Sequence, residues 1–138
     1  MIDHETTQKL GIWLASKKWQ PWERGKNDCC TFIMEWHDYI HGTNTLDEIY
    51  GKYYDLKTAI KWAQKIPLNE WFTKNGYELV DDIQTGDIVM VKHNRFFFSG
   101  YIVCMKEAWG IQDEARGLSK HPLETMHEHT IWRYKYGS

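Results

Sequence analysis

Cys29 has the clearest claim to chemistry in this chain. It follows the polar run Gly25-Lys26-Asn27-Asp28 and precedes Cys30-Thr31-Phe32-Ile33-Met34-Glu35-Trp36. Apolar side chains recur at Cys29, Phe32, Ile33, Trp36 and Ile40, the spacing of one buried helical face. Asn27 or Asp28 is the natural N-cap, because its side-chain oxygen can accept from backbone amides that lack a helical partner. The sulfur of Cys29 therefore falls in the first helical turn. Free amides and the positive end of the helix dipole favour an anion there, which would lower a thiol pKa and make a nucleophile. Asp28 works against this, since a neighbouring carboxylate disfavours a second negative charge. The same residues also fit a capped core helix whose first buried side chain is a small apolar cysteine.

Other residues could hold a metal or an anion. His37 and His41 stand one helical turn apart, and His127-Glu128-His129 would point two imidazoles the same way in a strand. Neither spacing fixes a third ligand, so no metal and no cofactor is expected. His121 precedes Pro122 and reads as loop. Lys57, Lys61 and Lys65 form a stripe along one helical face, able to meet an anionic partner but equally a solvated surface. There is no Gly-rich phosphate loop, no nucleophile elbow and no paired-cysteine zinc spacing. The eight tryptophans within an aromatic content of 15% could stack on sugars or bases, although buried Trp and Tyr are the commoner use.

The elements that must position Cys29 belong to one domain, 1–138, of 138 residues, long enough to bury a core without staples. A hydrophobic content of 42% and a charged content of 26% are those of a globular protein. A formal charge of -2 gives no electrostatic case for nucleic acid. Three cysteines, two of them adjacent, make no disulfide framework and point to a reducing compartment. The opening residues, Met1 to Thr7, lack the basic start and apolar run of a signal peptide. The longest apolar stretch, Phe96 to Met105, is too short to span a bilayer, so no membrane partner is expected.

Along the chain, a helix is expected at about residues 4–17, with Leu10, Trp13 and Leu14 inward and Lys17-Lys18 near its end. Trp19-Gln20-Pro21-Trp22 breaks that pattern. The Cys29 helix runs to about residue 41 and stops at Gly42. Thr45-Leu46-Asp47-Glu48 reads as a capping box opening a short helix. Asp55 caps another helix, with Leu56, Ala59, Ile60 and Ala63 turned inward. A short helical piece after Pro67 ends at Asn75-Gly76. The grammar then changes to period 2. Tyr77 to Val80, Asp87 to Lys92, Phe96 to Cys104, Ile111 to Ala115 and His129 to Tyr134 read as strands, with turns at Thr85-Gly86, His93-Asn94, Gly110 and Arg116-Gly117. A helical part at about 1–75 followed by an antiparallel sheet of about five strands at about 76–138 is an α+β layout.

The order of these parts resembles the NlpC-like branch of papain-fold cysteine peptidases. That branch has a cysteine at a helix start, a Gly-Asp-hydrophobic strand, and a His two residues before a Gly in the next strand. More closely, the chain is similar to small, mostly uncharacterised phage and prophage proteins found among tail genes. The matching features are Trp22, Gly25, Asn27-Asp28-Cys29-Cys30-Thr31-Phe32, Glu35-Trp36, Gly42, Gly51-Lys52-Tyr53, Gly86-Asp87, Gly100, Glu114-Ala115-Arg116-Gly117-Leu118 and Ile131-Trp132-Arg133. The resemblance covers most of the chain from about residue 19. It implies a papain-like fold with the nucleophile at Cys29, the catalytic His position at Phe98 and the orienting position near Gln112. Phenylalanine can neither take a thiol proton nor return it.

His93 falls about five residues from the expected place of the base, roughly 16 Å along an extended strand. His4, His121, His127 and His129 are not placed by the sequence. The resemblance thus implies a phage tail structural or assembly protein whose peptidase fold has lost its base. Its expected partners are other tail proteins, and its expected location is the virion tail or the host cytoplasm during assembly. The alternative is an active cysteine hydrolase acting on peptidoglycan peptides or a tail precursor.

Overall fold

The central helix forms where the apolar series predicts it. In a computed structural model that describes residues 4–93, 98–113, 117–125 and 129–135, helix α2 spans Cys29–His41. Asp28, in extended conformation, caps it: its carboxylate accepts from the amides of Cys30 and Thr31, and the Thr31 hydroxyl accepts from the Asp28 amide. Such a cap is worth about 1 kcal/mol. Gly42 ends the helix at φ 68, its amide reaching the Asp38 carbonyl, a left-handed conformation that glycine enters without a Cβ penalty.

Helix α1 (His4–Lys17) lies against α2 through Leu10, Trp13 and Leu14. The Trp13 ring packs 5.0 Å from Phe32 and 5.4 Å from Trp36. Lys17, in the last turn of the helix as expected, is only 2% exposed. Its ammonium donates to Glu35 at 2.6 Å and to Gln20 at 2.8 Å. A buried lysine keeps its charge only with such partners, so the pair locks α1 to α2.

The next segment corrects one expectation. Thr45–Glu48 is a 3-10 helix with Asn44 at its N-cap and no side-chain capping bond. The anchor is Asp38 of α2, whose carboxylate accepts from Thr43, from Thr45 and from the Leu46 amide. Burial opposes its charge, but the bonds from Thr43, Leu46 and Thr45 prevail and hold the carboxyl below its ordinary range. Helix α3 (Leu56–Lys65) is capped by Asp55 as expected, yet none of its residues is buried. Helix α4 (Leu68–Lys74) follows Pro67 and buries Trp71 and Phe72.

The described strands form one antiparallel sheet of six, not about five: β1 (Tyr77–Val80), β2 (Ile88–Lys92), β3 (Phe98–Cys104), β4 (Glu107–Asp113), β5 (Gly117–Pro122) and β6 (His129–Tyr134). Their order is β1-β6-β2-β3-β4-β5. Strand β4 begins four residues before the expected Ile111, because Met105 and Lys106 turn the chain at φ 52 and 70. Hairpin turns of this kind usually carry Asn or Gly, so the sequence held no signal there. Strand β5 replaces an expected turn at Gly117. That glycine has φ +79, and a Cβ on it would lie 2.3 Å from the Gln20 carbonyl oxygen, so only glycine lets the loop before α2 pass. The expected start of β3 at Phe96 lies outside the described residues.

Alternation along the strands sets two cores. Ile88, Met90 and Ile102 join the helices in the main core, while Val89, Tyr101, Val103 and Ile131 form a second one. Asp87, 2% exposed, ties the sheet by accepting two bonds from Arg133 at 2.9 and 2.8 Å. That bidentate pair accounts for both the Gly86-Asp87 and the closing Ile131-Trp132-Arg133 features in structural terms. No helix among the described residues is long and apolar enough to cross a membrane.

Candidate functional site

The mouth of α2 is held by residues upstream and downstream of it. Gly25, at φ +84, would place a Cβ 2.0 Å from the Tyr53 carbonyl oxygen, and its amide donates to Asp28 Oδ2 at 2.8 Å. The Tyr53 hydroxyl donates to the same oxygen at 2.7 Å. Asn27 donates through Nδ2 to the Pro21 carbonyl at 2.7 Å. Asp28, 6% exposed, thus accepts four bonds, from Gly25, Cys30, Thr31 and Tyr53. The start of the helix is over-determined, and Cys29 is placed with it.

Cys29 stands against β3. Gly100 makes the approach possible: a Cβ there would meet Ile33 Cγ1 at 3.0 Å, Met90 Sδ at 3.2 Å and the Cys29 carbonyl oxygen at 3.3 Å. Two residues earlier on the same strand, the Phe98 carbonyl accepts from the Cys29 thiol at 3.3 Å. The structure therefore brings together two of the three residues singled out by the family resemblance. The third, Gln112, falls in β4, and its side chain lies outside the described part of the structure.

The electrostatics disfavour additional negative charge beside Asp28. Asp28 already occupies the Cys30 and Thr31 amides that would stabilise an anion. The half-buried Cys30 thiol is pushed well up, first by its hydrogen bond with Cys29, then by burial and by the negative charges around it. The Tyr53 phenol is likewise driven far above its ordinary range, chiefly by burial and then by Cys30 and Asp28. It stays protonated and serves as a donor.

Four of the histidines have other partners. His37 Nδ1 is hydrogen-bonded to the Tyr77 hydroxyl at 2.9 Å, and the His41 ring stacks 3.9 Å from Tyr134. His121 bonds to Ser119 at 3.0 Å. His93 bonds to Ser99, beside Phe98 in the chain. The path-length estimate for His93 is therefore too long, because the hairpin folds residue 92 back opposite Phe98. What separates His93 from Cys29 is the pleat. Ser99 alternates with Gly100, whose missing Cβ faces α2, so it belongs to the other face of the sheet. His127 lies outside the described residues. Among the described residues, no group of three or more His, Cys, Asp and Glu side chains could hold a metal ion.

A cavity of about 550 Å³ opens beside the thiol. Cys29, Cys30, Met34 and Phe98 form one side of it, and Ala59, Ile60, Trp62 and Ala63 of α3 form another. Of the four α3 residues expected to turn inward, Leu56 is exposed, Ala59 rests on the main core at the cavity's edge, and Ile60 and Ala63 line the cavity wall. No histidine is found among the described residues that line it. Tyr53 and Arg24 were also missed as members of the site. The signal for them, Gly51-Lys52-Tyr53 and Trp22 before Gly25, was visible only as part of a pattern.

Neither the curated proteins nor the solved structures contain a match to this chain. A family model does match, over residues 3–134, and the chain accordingly belongs to the family described as a domain of unknown function, DUF6950.

Proposed function

We propose that this chain is a degenerate papain-like, NlpC-like protein that serves as a structural or assembly component of a phage tail rather than as a peptidase. The observation that carries the non-peptidase part is the bond from the Cys29 thiol to the Phe98 carbonyl. A cysteine peptidase needs an imidazole within hydrogen-bond reach of its sulfur to take the proton and later protonate the leaving amine. A main-chain carbonyl can only accept a bond. The tail role rests on the resemblance of the ordered sequence features and on the well-formed core that such a docking block requires.

The second reading, a cysteine hydrolase acting on cell-wall peptides or a tail precursor, draws on a different observation: the cavity opens onto the thiol. One substitution separates the two. Cys29→Ala is expected to leave tail assembly and infectivity unchanged, and purified protein is expected to release no peptide from peptidoglycan. Loss of a measurable hydrolysis on that single substitution would establish the hydrolase instead. Alkylation of Cys29 by iodoacetamide near neutral pH gives an independent readout: rates like those of a free thiol are expected, and rates a hundredfold faster would mark an activated thiolate.

A further inference from the structure

The cavity beside Cys29 has a chemistry of its own. Its interior is apolar on both sides, with Met34 and Ile49 facing Ile60 and Ala63 of α3, and its volume of about 550 Å³ is that of a small-molecule site. Helix α3 turns Ile60 and Ala63 toward this space and has no fully buried residue, only Ala59 and Trp62 resting part-buried against the main core. An amphipathic helix normally finds its stability by burying its apolar stripe, so an occupant would supply what the protein core does not.

The edge of the cavity is cationic. Arg24 lines it, with its guanidinium 5.3 Å from the ring centre of Trp22, another lining residue. The ammonium groups of Lys52 and Lys65 sit 5.6 and 4.6 Å from the ring of Trp62, a third lining residue. The nearby carboxylates are Asp28, enclosed by its four donors, the exposed Asp55, which feels both Lys57 and Arg24, and Glu23, which pairs with Lys26 at 3.5 Å and so leaves Arg24 as the cation facing the cavity. A polar hollow lined by Glu23, Lys26 and Tyr54 adjoins the cavity and shares Trp22, Arg24 and Tyr53 with it. An apolar interior with a cationic edge complements one kind of small molecule.

We propose that this cavity binds a fatty-acid-like amphiphile, its hydrocarbon chain between α2 and α3 and its carboxylate at Arg24 and the lysines over Trp62. Arg24 at the edge, with Lys52 and Lys65 on the ring of the lining Trp62, would then attract an anionic head while the stripe of α3 becomes buried. The proposal is independent of any role in a tail.

The test uses the full chain carrying Cys104→Ser, so that the remaining thiols report on the cavity. Dodecanoate, titrated by calorimetry below its micelle concentration, is expected to bind at one molecule per chain and to slow alkylation of Cys29 by at least tenfold. Dodecanol, with the same chain and no charge, is expected to bind about tenfold more weakly. Arg24→Gln should remove most of that difference. Ala63→Trp, which fills the cavity from an exposed position on α3, should weaken dodecanoate at least tenfold while leaving the circular dichroism unchanged. If that variant does not fold, Ile60→Gln makes the same wall polar without added volume and carries the same expectation. Absence of saturable dodecanoate binding would overturn the proposal, as would binding indifferent to the wall substitutions. Equal affinity for dodecanol would overturn the assignment of the anionic head.

Discussion

Helices α2 and α3 start alike and end differently. Both are capped by an aspartate in extended conformation, with a threonine three residues on completing a capping box. Yet α2 buries Phe32, Ile33, Met34 and Trp36, whereas α3 buries nothing. The Asp28 cap is itself enclosed and accepts from Gly25 and Tyr53 as well as from its own helix, while the exposed Asp55 carboxylate accepts from Thr58 of its own helix. Local capping chemistry makes a helix; whether that helix carries the fold depends on what its apolar stripe meets.

The comparison can be broken from the α2 side with the largest effect. Ile33→Asp puts an unpaired charge into the main core at a side chain 2% exposed, and loss of the folded state by circular dichroism at 25 °C is expected. Asp28→Ala strips four buried donors of one acceptor and should cost about 3–5 kcal/mol in chemical denaturation. A change of under 1 kcal/mol there would mean the mouth of α2 is not the anchor described.

The far end of α2 sharpens the contrast through pH. Burial, and then the neighbouring His41, lower the His37 pKa from 6.5 to about 4, against a smaller upward pull from Asp38. A group that folds neutral with a depressed pKa takes up its proton more readily when unfolded, so its contribution is whole above pH 6.5 and falls as pH drops toward 4. Unfolding free energy should decline over that window by no more than about 3 kcal/mol, and His37→Gln should flatten the slope. An unchanged slope in that variant would assign the acid sensitivity elsewhere. The smallest effect belongs to α3: Ile60→Ser, on the cavity wall, is expected to change stability by less than about 1 kcal/mol. A loss matching a core truncation would mean α3 is packed after all.

Much of the fold was legible in the sequence. The 3.6 period and the caps gave α1 and α2 with their observed ends, and the period-2 runs gave β1 and β6. The start of β4 was hidden because Met105-Lys106 turns the chain without turn residues. Strand β5, Gly117-Leu118-Ser119-Lys120-His121-Pro122, lacks β-branched side chains, and pairing to β4 imposes its conformation. The place of Lys17 in the last turn of α1 was legible, but its burial was not, because nothing local reveals that Glu35 waits across the interface. At the site, Cys29 and Asp28 were readable from spacing. The contact with Phe98 came through the order of motifs, and the roles of Tyr53, Arg24 and the α3 wall were not readable at all.

By itself, then, the sequence determined which segments coil and which extend, because periodicity, caps and glycines act over a few residues. Tertiary structure alone decided that His93 reaches the strand of Phe98 but on the opposite face, since a hairpin sets nearness and the pleat sets the side. It also decided that the stripe of α3 lines a cavity and rests only Ala59 and Trp62 on the core: the volume between two helices is fixed by the packing of everything around them, not by either helix's own residues.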